Sequence, residues 1–314
     1  MRCSFCKNRA VVYLPASRIS LCKRHFVYRF ERKVKRTIRD YHLVDGAERI
    51  GVALSGGKDS INVLYILNQI LKPMRKELIA ITIDEGIKGY RDKLIENSAK
   101  ICKKLGIKHE VRSFKEELGI TMDEIAKIPR EEREITCTYC GVFRRWLINK
   151  VARELGIERI AVGHNLDDVV QSFLMNLYRN ELFRLARFGP RSGIVEHEGF
   201  VERIRPLYRV LEKESALYAV LNGLKTEFEE CPYVRESFRA SVRDQLNQME
   251  DKYPGTKFKL FNSFIAVNEL LKKKYEGKGL ERIVECSICG EPTSGETCKK
   301  CELLEKVFKL RKRK

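Results

Sequence analysis

A buried apolar run, Arg49–Leu54, passes through Ser55-Gly56-Gly57-Lys58-Asp59-Ser60 directly into an amphipathic stretch, Asp59–Leu71. Few folds accept a strand that turns on two glycines straight into a helix. The strand has to be flanked on both sides, and the helix has to run back across the sheet face. The same alternation recurs downstream. Leu78–Asp84, His109–Phe114 and Arg159–Gly163 read as strands, and Tyr90–Leu105, Val142–Leu155 and Leu166–Tyr178 as helices. The expected fold is α/β, a doubly wound, mostly parallel sheet. Helices Glu212–Leu221, Glu236–Glu250 and Ser263–Tyr275 should follow it. At ~150 residues per domain, the 314 residues make about two folded units.

The glycine turn also carries chemistry. Strand, turn and helix N-terminus aim backbone N–H groups and the positive end of a helix dipole at one point, which suits phosphate. A Cβ at Gly56 or Gly57 would hold an anion off the backbone. A Walker A loop is excluded by spacing: Val52 stands five before Gly57 where a glycine is needed, and Asp59 follows Lys58. An ordinary capped turn is the plain alternative. A second element, Gly163-His164-Asn165-Leu166-Asp167-Asp168, closes a later strand. In an open α/β sheet, ligands bind at the carboxyl edge of the strands. Ile83 and Asp84, which end the second strand, should therefore flank adenine and ribose. By itself, the His164–Asp168 segment could equally be a helix cap.

Eleven cysteines are distributed in groups. Cys3, Cys6, Cys22 and His25 form C-x2-C…C-x2-H; Cys286, Cys289, Cys298 and Cys301 form C-x2-C…C-x2-C. Both spacings match structural zinc knuckles. Residues 1–25 are too few for an apolar core, so a metal would have to organise them. Cys137 and Cys140 lie in a polar loop ahead of a helix, and Cys231 comes some ninety residues later in Glu229-Glu230-Cys231-Pro232-Tyr233. Three soft donors leave four readings open: zinc with an unidentified fourth ligand, a persulfide-carrying pair, a [4Fe–4S] cluster with one open iron, or a purely structural set. Cys102, beside Ile101 and Leu105 on a helix, reads as core.

Sixty-two Lys and Arg against 43 Asp and Glu leave a net charge of +19, which favours a polyanionic partner. The membrane option is excluded by the lack of any long apolar run, so the expected location is cytoplasmic. Basic residues crowd the helix after Phe26, whose apolar positions 26, 30, 34 and 38 make a single stripe, and recur in the last nine residues, KVFKLRKRK. Two such runs flanking one domain fit a nucleic-acid backbone. Gln is rare, four against 33 Glu, in keeping with a heat-adapted source.

S-G-G-K-D-S after a strand resembles the PP-loop ATP pyrophosphatases (adenine-nucleotide alpha-hydrolase-like fold), which cut ATP between the α- and β-phosphates and activate a substrate oxygen as its adenylate. Adding the internal C-x2-C, the distant Glu230-Cys231-Pro232-Tyr233 and the two terminal knuckles narrows the likeness. The chain is similar to the tRNA 2-thiolation branch shared by the T-loop thiouridine synthetases and the wobble-uridine thiolases. Arg205-Pro206-Leu207, Glu212-Lys213-Glu214 and Tyr218-Ala219 also fit that branch, whereas the cytidine-thiolating relatives lack the terminal modules.

The resemblance implies ATP at Ala53, Leu54, Ser55, Gly56, Gly57, Lys58, Asp59, Ser60, Ile83, Asp84, Gly163, His164 and Asp168. Lys58, Asp59 and Asp168 would be catalytic, with Mg2+ on Asp59 or Asp168. It also implies a [4Fe–4S] cluster on Cys137, Cys140 and Cys231, two Zn2+ on the terminal quartets, and tRNA as substrate. The sulfur source would be a thiocarboxylated ubiquitin-like carrier protein, and the assembly a homodimer. The heat-adapted composition points to the T-loop uridine. Cluster-free persulfide thiolation and a non-catalytic zinc-dependent RNA-binding protein are the alternatives. A lysidine-type amidase would share the loop, yet has no use for three thiolates. The expected organisation is a zinc finger at 1–25, a basic helical connector at 26–45 and the catalytic domain at 46–276. A second finger follows at 280–303, then a basic tail at 304–314.

Overall fold

The computed structural model describes residues 1–192, 197–226, 230–234, 238–275 and 283–311. The chain opens with an antiparallel pair, β1 (Val12–Leu14) and β2 (Ile19–Leu21), and then α1 (Lys23–Asp40). The central unit runs β3 (Arg49–Ala53), α2 (Lys58–Leu71), β4 (Glu77–Asp84), α3 (Arg91–Leu105) and β5 (Lys108–Ser113). Two short helices follow, α4 (Phe114–Leu118) and α5 (Met122–Ala126), and then α6 (Thr136–Glu154), β6 (Arg159–Ala161), α7 (Leu166–Tyr178), α8 (Leu182–Ala186) and β7 (Glu202–Ile204). The remainder is α9 (Glu212–Leu221), α10 (Phe238–Lys252), α11 (Thr256–Tyr275), the pair β8 (Val284–Glu285) and β9 (Pro292–Thr293), and α12 (Lys299–Arg311).

The five central strands are all parallel, in the order β5-β4-β3-β6-β7. From β3 the chain winds outward through β4 to β5, then returns to the other side of β3 for β6 and β7. The winding therefore reverses between β3 and β6, and their carboxyl ends splay apart into a crevice. Both signature segments sit on that edge: the glycine turn follows β3 and Gly163–Asp168 follows β6.

Each face of the sheet is covered, as all-parallel strands require. One layer packs α1, α2 and α9 around Phe30, Val34, Ile61, Leu64 and Tyr218, with the Phe30 and Tyr218 rings stacked at 4.1 Å. The other packs α6 around Phe114, Phe143, Leu147 and Val151. A third apolar cluster, holding Val169, Phe173, Val242 and Phe264, binds α7, α8, α10 and α11 together.

Besides α11, which begins at Thr256 and not at the expected Ser263, three features differ from the sequence reading. Helix α6 begins at Thr136, so Cys137 and Cys140 occupy its first turns rather than a preceding loop. The start was obscured because its early positions are polar or cysteine, yet Thr136 and Tyr139 are fully buried and hold the turn. The edge strand β7 is three residues long, too short for a periodic pattern. The basic run from Lys306 is helical to Arg311 instead of a free tail: Leu303 and Val307 enter the core beside α6, and Lys300 Nζ lies 4.5 Å from the centre of the Trp146 ring. The Gly277–Gly279 linker, residue Glu229, the first residues of the helix expected from Glu236, and residues 312–314 lie outside the described residues.

Candidate active site and metal centres

The glycine turn is shaped by close packing. Gly56 has φ +85°, and a Cβ there would meet Leu94 Cβ and O at 2.9 Å. Gly163 is crowded for a different reason: a Cβ would lie 2.9 Å from Ser60 N and 3.1 Å from Asp59 C, so the end of β6 rests directly on the start of α2. Gly163→Ala is expected to push the two apart. ATP affinity should fall by about tenfold or more and stability by about 1–3 kcal/mol, read by calorimetric titration and thermal melting.

The charged groups of the two segments meet across the crevice. Lys58 Nζ lies 3.1 Å from Asp59 Oδ2 and 3.0 Å from Glu212 Oε1. Asn165 caps α7 by accepting from Asp168 N, and Asp168 reciprocates to Asn165 N, a closed capping box. Asn165 Nδ2 also reaches Asp59 Oδ2 at 3.4 Å. Burial pushes the Asp59 carboxyl up, and pushes that of Asp168 up to about 6 against the pull of Arg239. Asp59 Oδ1 is buried without a hydrogen-bond partner. Two carboxyls raised by burial, one with an unused oxygen, would gain from a cation.

Asp167 has a different task. It is 3% exposed, pairs with buried Lys257 of α11 and accepts from Glu212 N at 2.7 Å, so it ties α7 to α9 and α11. His164 stands at the crevice wall, one residue before the N-cap of α7. Loss of bulk water around its ring, with Arg205, Arg239, Arg144 and Arg203 nearby, holds the imidazole neutral. Ile83 and Asp84 stand at the end of β4 as expected; Asp84 Oδ1 accepts from Gly86 N at 2.8 Å.

Arg91 links this edge to the cysteines. It is 4% exposed, and its guanidinium donates to Ser55 O (2.7 Å) and to Ile83 O, clamping β3 and β4 together at their carboxyl ends. Its Nε lies 2.6 Å from Glu85, and Glu85 is 3.6 Å from Arg144 on α6. Arg144 in turn bears electrostatically on Cys140 and Cys231. Cys137 Sγ donates to Tyr233 O at 3.6 Å, which brings the Cys231 segment against the start of α6. Burial pushes the Cys140 thiol up to about 11 and raises that of Cys231.

Among the described residues, three or more ligand atoms within 4.8 Å of one another occur only in the two terminal quartets. In the first, Cys3, Cys6 and Cys22 Sγ lie 3.3, 3.5 and 3.4 Å from His25 Nδ1. Burial raises Cys3 and Cys286, but backbone N–H groups outweigh it and bring both thiols to about 6. These quartets are shaped for one ion each. Cys137, Cys140 and Cys231 do not form such a group.

Because Leu303 and Val307 follow Cys301 into the core, the second quartet also anchors α12. Cys301→Ser should therefore free that helix. Losing two buried aliphatic side chains costs about 3–6 kcal/mol, visible as rapid hydrogen exchange over 299–311.

Residues 27–250 match the family model described as a PP-loop domain, and residues 2–27 match the N-terminal LIM domain of 2-thiouridine synthetase TtuA. The chain belongs to the PP-loop family of tRNA 2-thiolation proteins. It is 36% identical to the tRNA 2-thiolation protein NcsA of Haloferax volcanii, over 98% of this chain and 99% of that one. It is 37% identical to the tRNA-5-methyluridine(54) 2-sulfurtransferase of Pyrococcus horikoshii, over 96% and 93%. The fold is similar to the U34-tRNA thiolase NcsA from Methanococcus maripaludis, solved with its [4Fe-4S] cluster (TM-score 0.80, 34% identity, 97% and 96% covered).

Sequence reasoning about this PP-loop protein missed Glu85, Arg91, Arg144 and Arg239; Glu212 stood in the quoted Glu212-Lys213-Glu214 segment without a site role. None of the first four lies in a motif with a readable spacing. The one available signal was a charged pair, Glu85 and Arg91, flanking the end of an apolar strand. No helix among the described residues is long and apolar enough to cross a membrane.

Proposed function

We propose that this chain is an ATP-dependent tRNA uridine 2-sulfurtransferase that acts on a T-loop uridine, with sulfur delivered at Cys137, Cys140 and Cys231. One observation carries the reading most: Ser55 of the phosphate loop connects through Arg91, Glu85 and Arg144 to the electrostatic field of Cys140 and Cys231. This chain of charged groups supports placing activation and sulfur delivery next to each other.

ATP lies against the N–H groups of residues 55–60, with its α-phosphate at the N-terminus of α2 and adenine beside Ile83 and Asp84. The uridine O2 attacks the α-phosphate, and Lys58 stabilises charge on the departing pyrophosphate. Asp59 or Asp168 would hold Mg2+, which screens the phosphates. Arg144 and Arg145, exposed on α6, with half-buried Arg203 beside them, offer the tRNA backbone a basic path to the crevice. The target base must leave its stack to reach the loop.

A cluster, when bound by the three cysteines, supplies an iron position for the sulfur donor. Three thiols drawn from two segments support this over a persulfide relay, which needs only a pair. Burial pushes the Cys140 thiol up to about 11 and raises that of Cys231. A metal centre displaces those protons outright. The terminal quartets would hold zinc, and the sulfur would arrive on a thiocarboxylated ubiquitin-like protein, with the enzyme a homodimer.

The test is anaerobic turnover of purified protein with ATP and tRNA, with thiolated nucleosides mapped by mass spectrometry. The reading expects AMP, pyrophosphate and 2-thiouridine at position 54. Thiolation at position 34 would replace the T-loop assignment, and thiolation without ATP cleavage would overturn the mechanism.

A further inference from the structure

Beside the acids of the phosphate loop lies a cavity of about 160 Å³, between the first turns of α2 and α7 on one side and α10 on the other. Asp59, Asp167, Asp168 and Glu212 supply its acids, Asp167 being already paired with Lys257; Arg239 and Arg243, one turn apart on α10, supply its bases. Val242 and Leu246 of the same helix are buried against Val169, Val170 and Phe173, so α10 is fixed on α7. Arg239 makes its contacts at the long end of the hydrogen-bond range. It reaches Asp168 Oδ1 at 3.3 Å, Gln171 Oε1 at 3.2 Å and Ser172 Oγ at 3.2 Å. A settled charge-assisted contact is shorter, about 2.7–2.9 Å. Arg243 is tighter, 2.6 Å from Glu230, the neighbour of Cys231. Across from both, Asp59 Oδ1 has no partner. Guanidinium groups on one wall and carboxylates on the other suit a polyphosphate that carries a divalent cation.

We infer that Arg239 and Arg243 form the subsite for the pyrophosphate end of ATP, and that Arg243 ties occupancy of this subsite to the Cys231 segment through Glu230. The inference rests on the adenylation reading above. In that step O2 of uridine bonds to the α-phosphorus, and the bond from that phosphorus to the bridging oxygen breaks. The electron pair leaves on pyrophosphate, and the base gives its N3 proton to solvent. Arg239 exchanges its long contacts for oxygens of the leaving group, whose charge rises as the bond breaks.

Product inhibition of the holoprotein separates this role from a structural one. Pyrophosphate and AMP are each titrated against wild type, Arg239→Ala, Arg239→Lys and Arg243→Ala, with cluster absorbance and melting temperature followed alongside. Arg239→Ala should raise the inhibition constant for pyrophosphate by about 30-fold, the scale of one lost charged hydrogen bond pair. AMP inhibition should stay the same, and Lys should restore part of the loss. Arg243→Ala should weaken pyrophosphate less and alter the cluster spectrum of the pyrophosphate-bound protein. Equal weakening of pyrophosphate and AMP would show a structural role and overturn the inference, as would an effect on tRNA affinity alone. Isotope exchange between ATP and pyrophosphate by wild type with tRNA tests the underlying reading. Its absence removes adenylation and the subsite together, whereas exchange with unchanged pyrophosphate inhibition in the variants removes the subsite alone.

Discussion

Replacing Cys137, Cys140 or Cys231 with alanine should, one at a time, abolish thiolation and remove the iron, while metal at the terminal quartets stays in place. The three sulfurs come from two segments that meet only in the folded chain, the start of α6 and the stretch before Tyr233. With one removed, two thiolates cannot hold a cube against loss to solvent. Selectivity for the middle site follows from its separation from the terminal quartets, each of which is closed within its own short module. The measurement is iron and zinc content per chain on anaerobic protein, together with visible absorption and turnover. Full turnover by iron-free protein would refute the cluster assignment, and unequal effects of the three changes would favour the persulfide relay.

Lys58→Ala and Asp59→Ala should each lower the rate of adenylation by about 10²–10³-fold or more, the range for a preorganised group acting on developing charge. Both side chains are held at the start of α2, Lys58 by Asp59 and Glu212, and Asp59 by Lys58 and Asn165. The expected loss is in turnover more than in ATP binding, because the backbone of residues 55–60 still faces the phosphates. The fold should survive, since neither side chain belongs to the apolar core. Rapid-quench measurement of AMP formation, paired with ATP titration, distinguishes the two effects. A variant that made thiolated tRNA at the wild-type rate would remove the residue from the chemistry.

The strands and helices that position this chemistry were legible in the sequence because they obey strong local rules. The run Ile50–Leu54 is apolar, with Ile50, Gly51 and Val52 buried, and Leu166–Tyr178 and Glu212–Leu221 keep helical bounds that periodicity already marks. The glycine turn and both terminal quartets were legible for a related reason. Each consists of residues close in sequence whose spacing carries the geometry.

Other parts of the site were not legible, and the cause is long-range pairing. The start of α6 was hidden because burial of Thr136 and Tyr139, and not an amphipathic pattern, fixes it. The run at 306–311 was charged enough to pass for a solvated tail, yet Val307 and Leu303 find an apolar floor on α6. A helix face becomes a docking face only when another part of the chain supplies the surface. The same holds for charge: the partner of Asp167 is Lys257, ninety residues away, and the partner of Arg239 is Asp168.

By itself the sequence determined a parallel, doubly wound sheet, the glycine loop on its carboxyl edge, and the grouping of the terminal cysteines into two quartets. Only the tertiary structure decided that Arg91 and Glu85 link the glycine loop to Arg144 of α6, and that α10 sets two arginines beside Asp59 and Asp168. The physical reason is one of range. Backbone geometry and ligand spacing act over a few residues and leave a local signature. Ion pairs and burial act through space, between groups whose separation along the chain carries no information until the chain has folded.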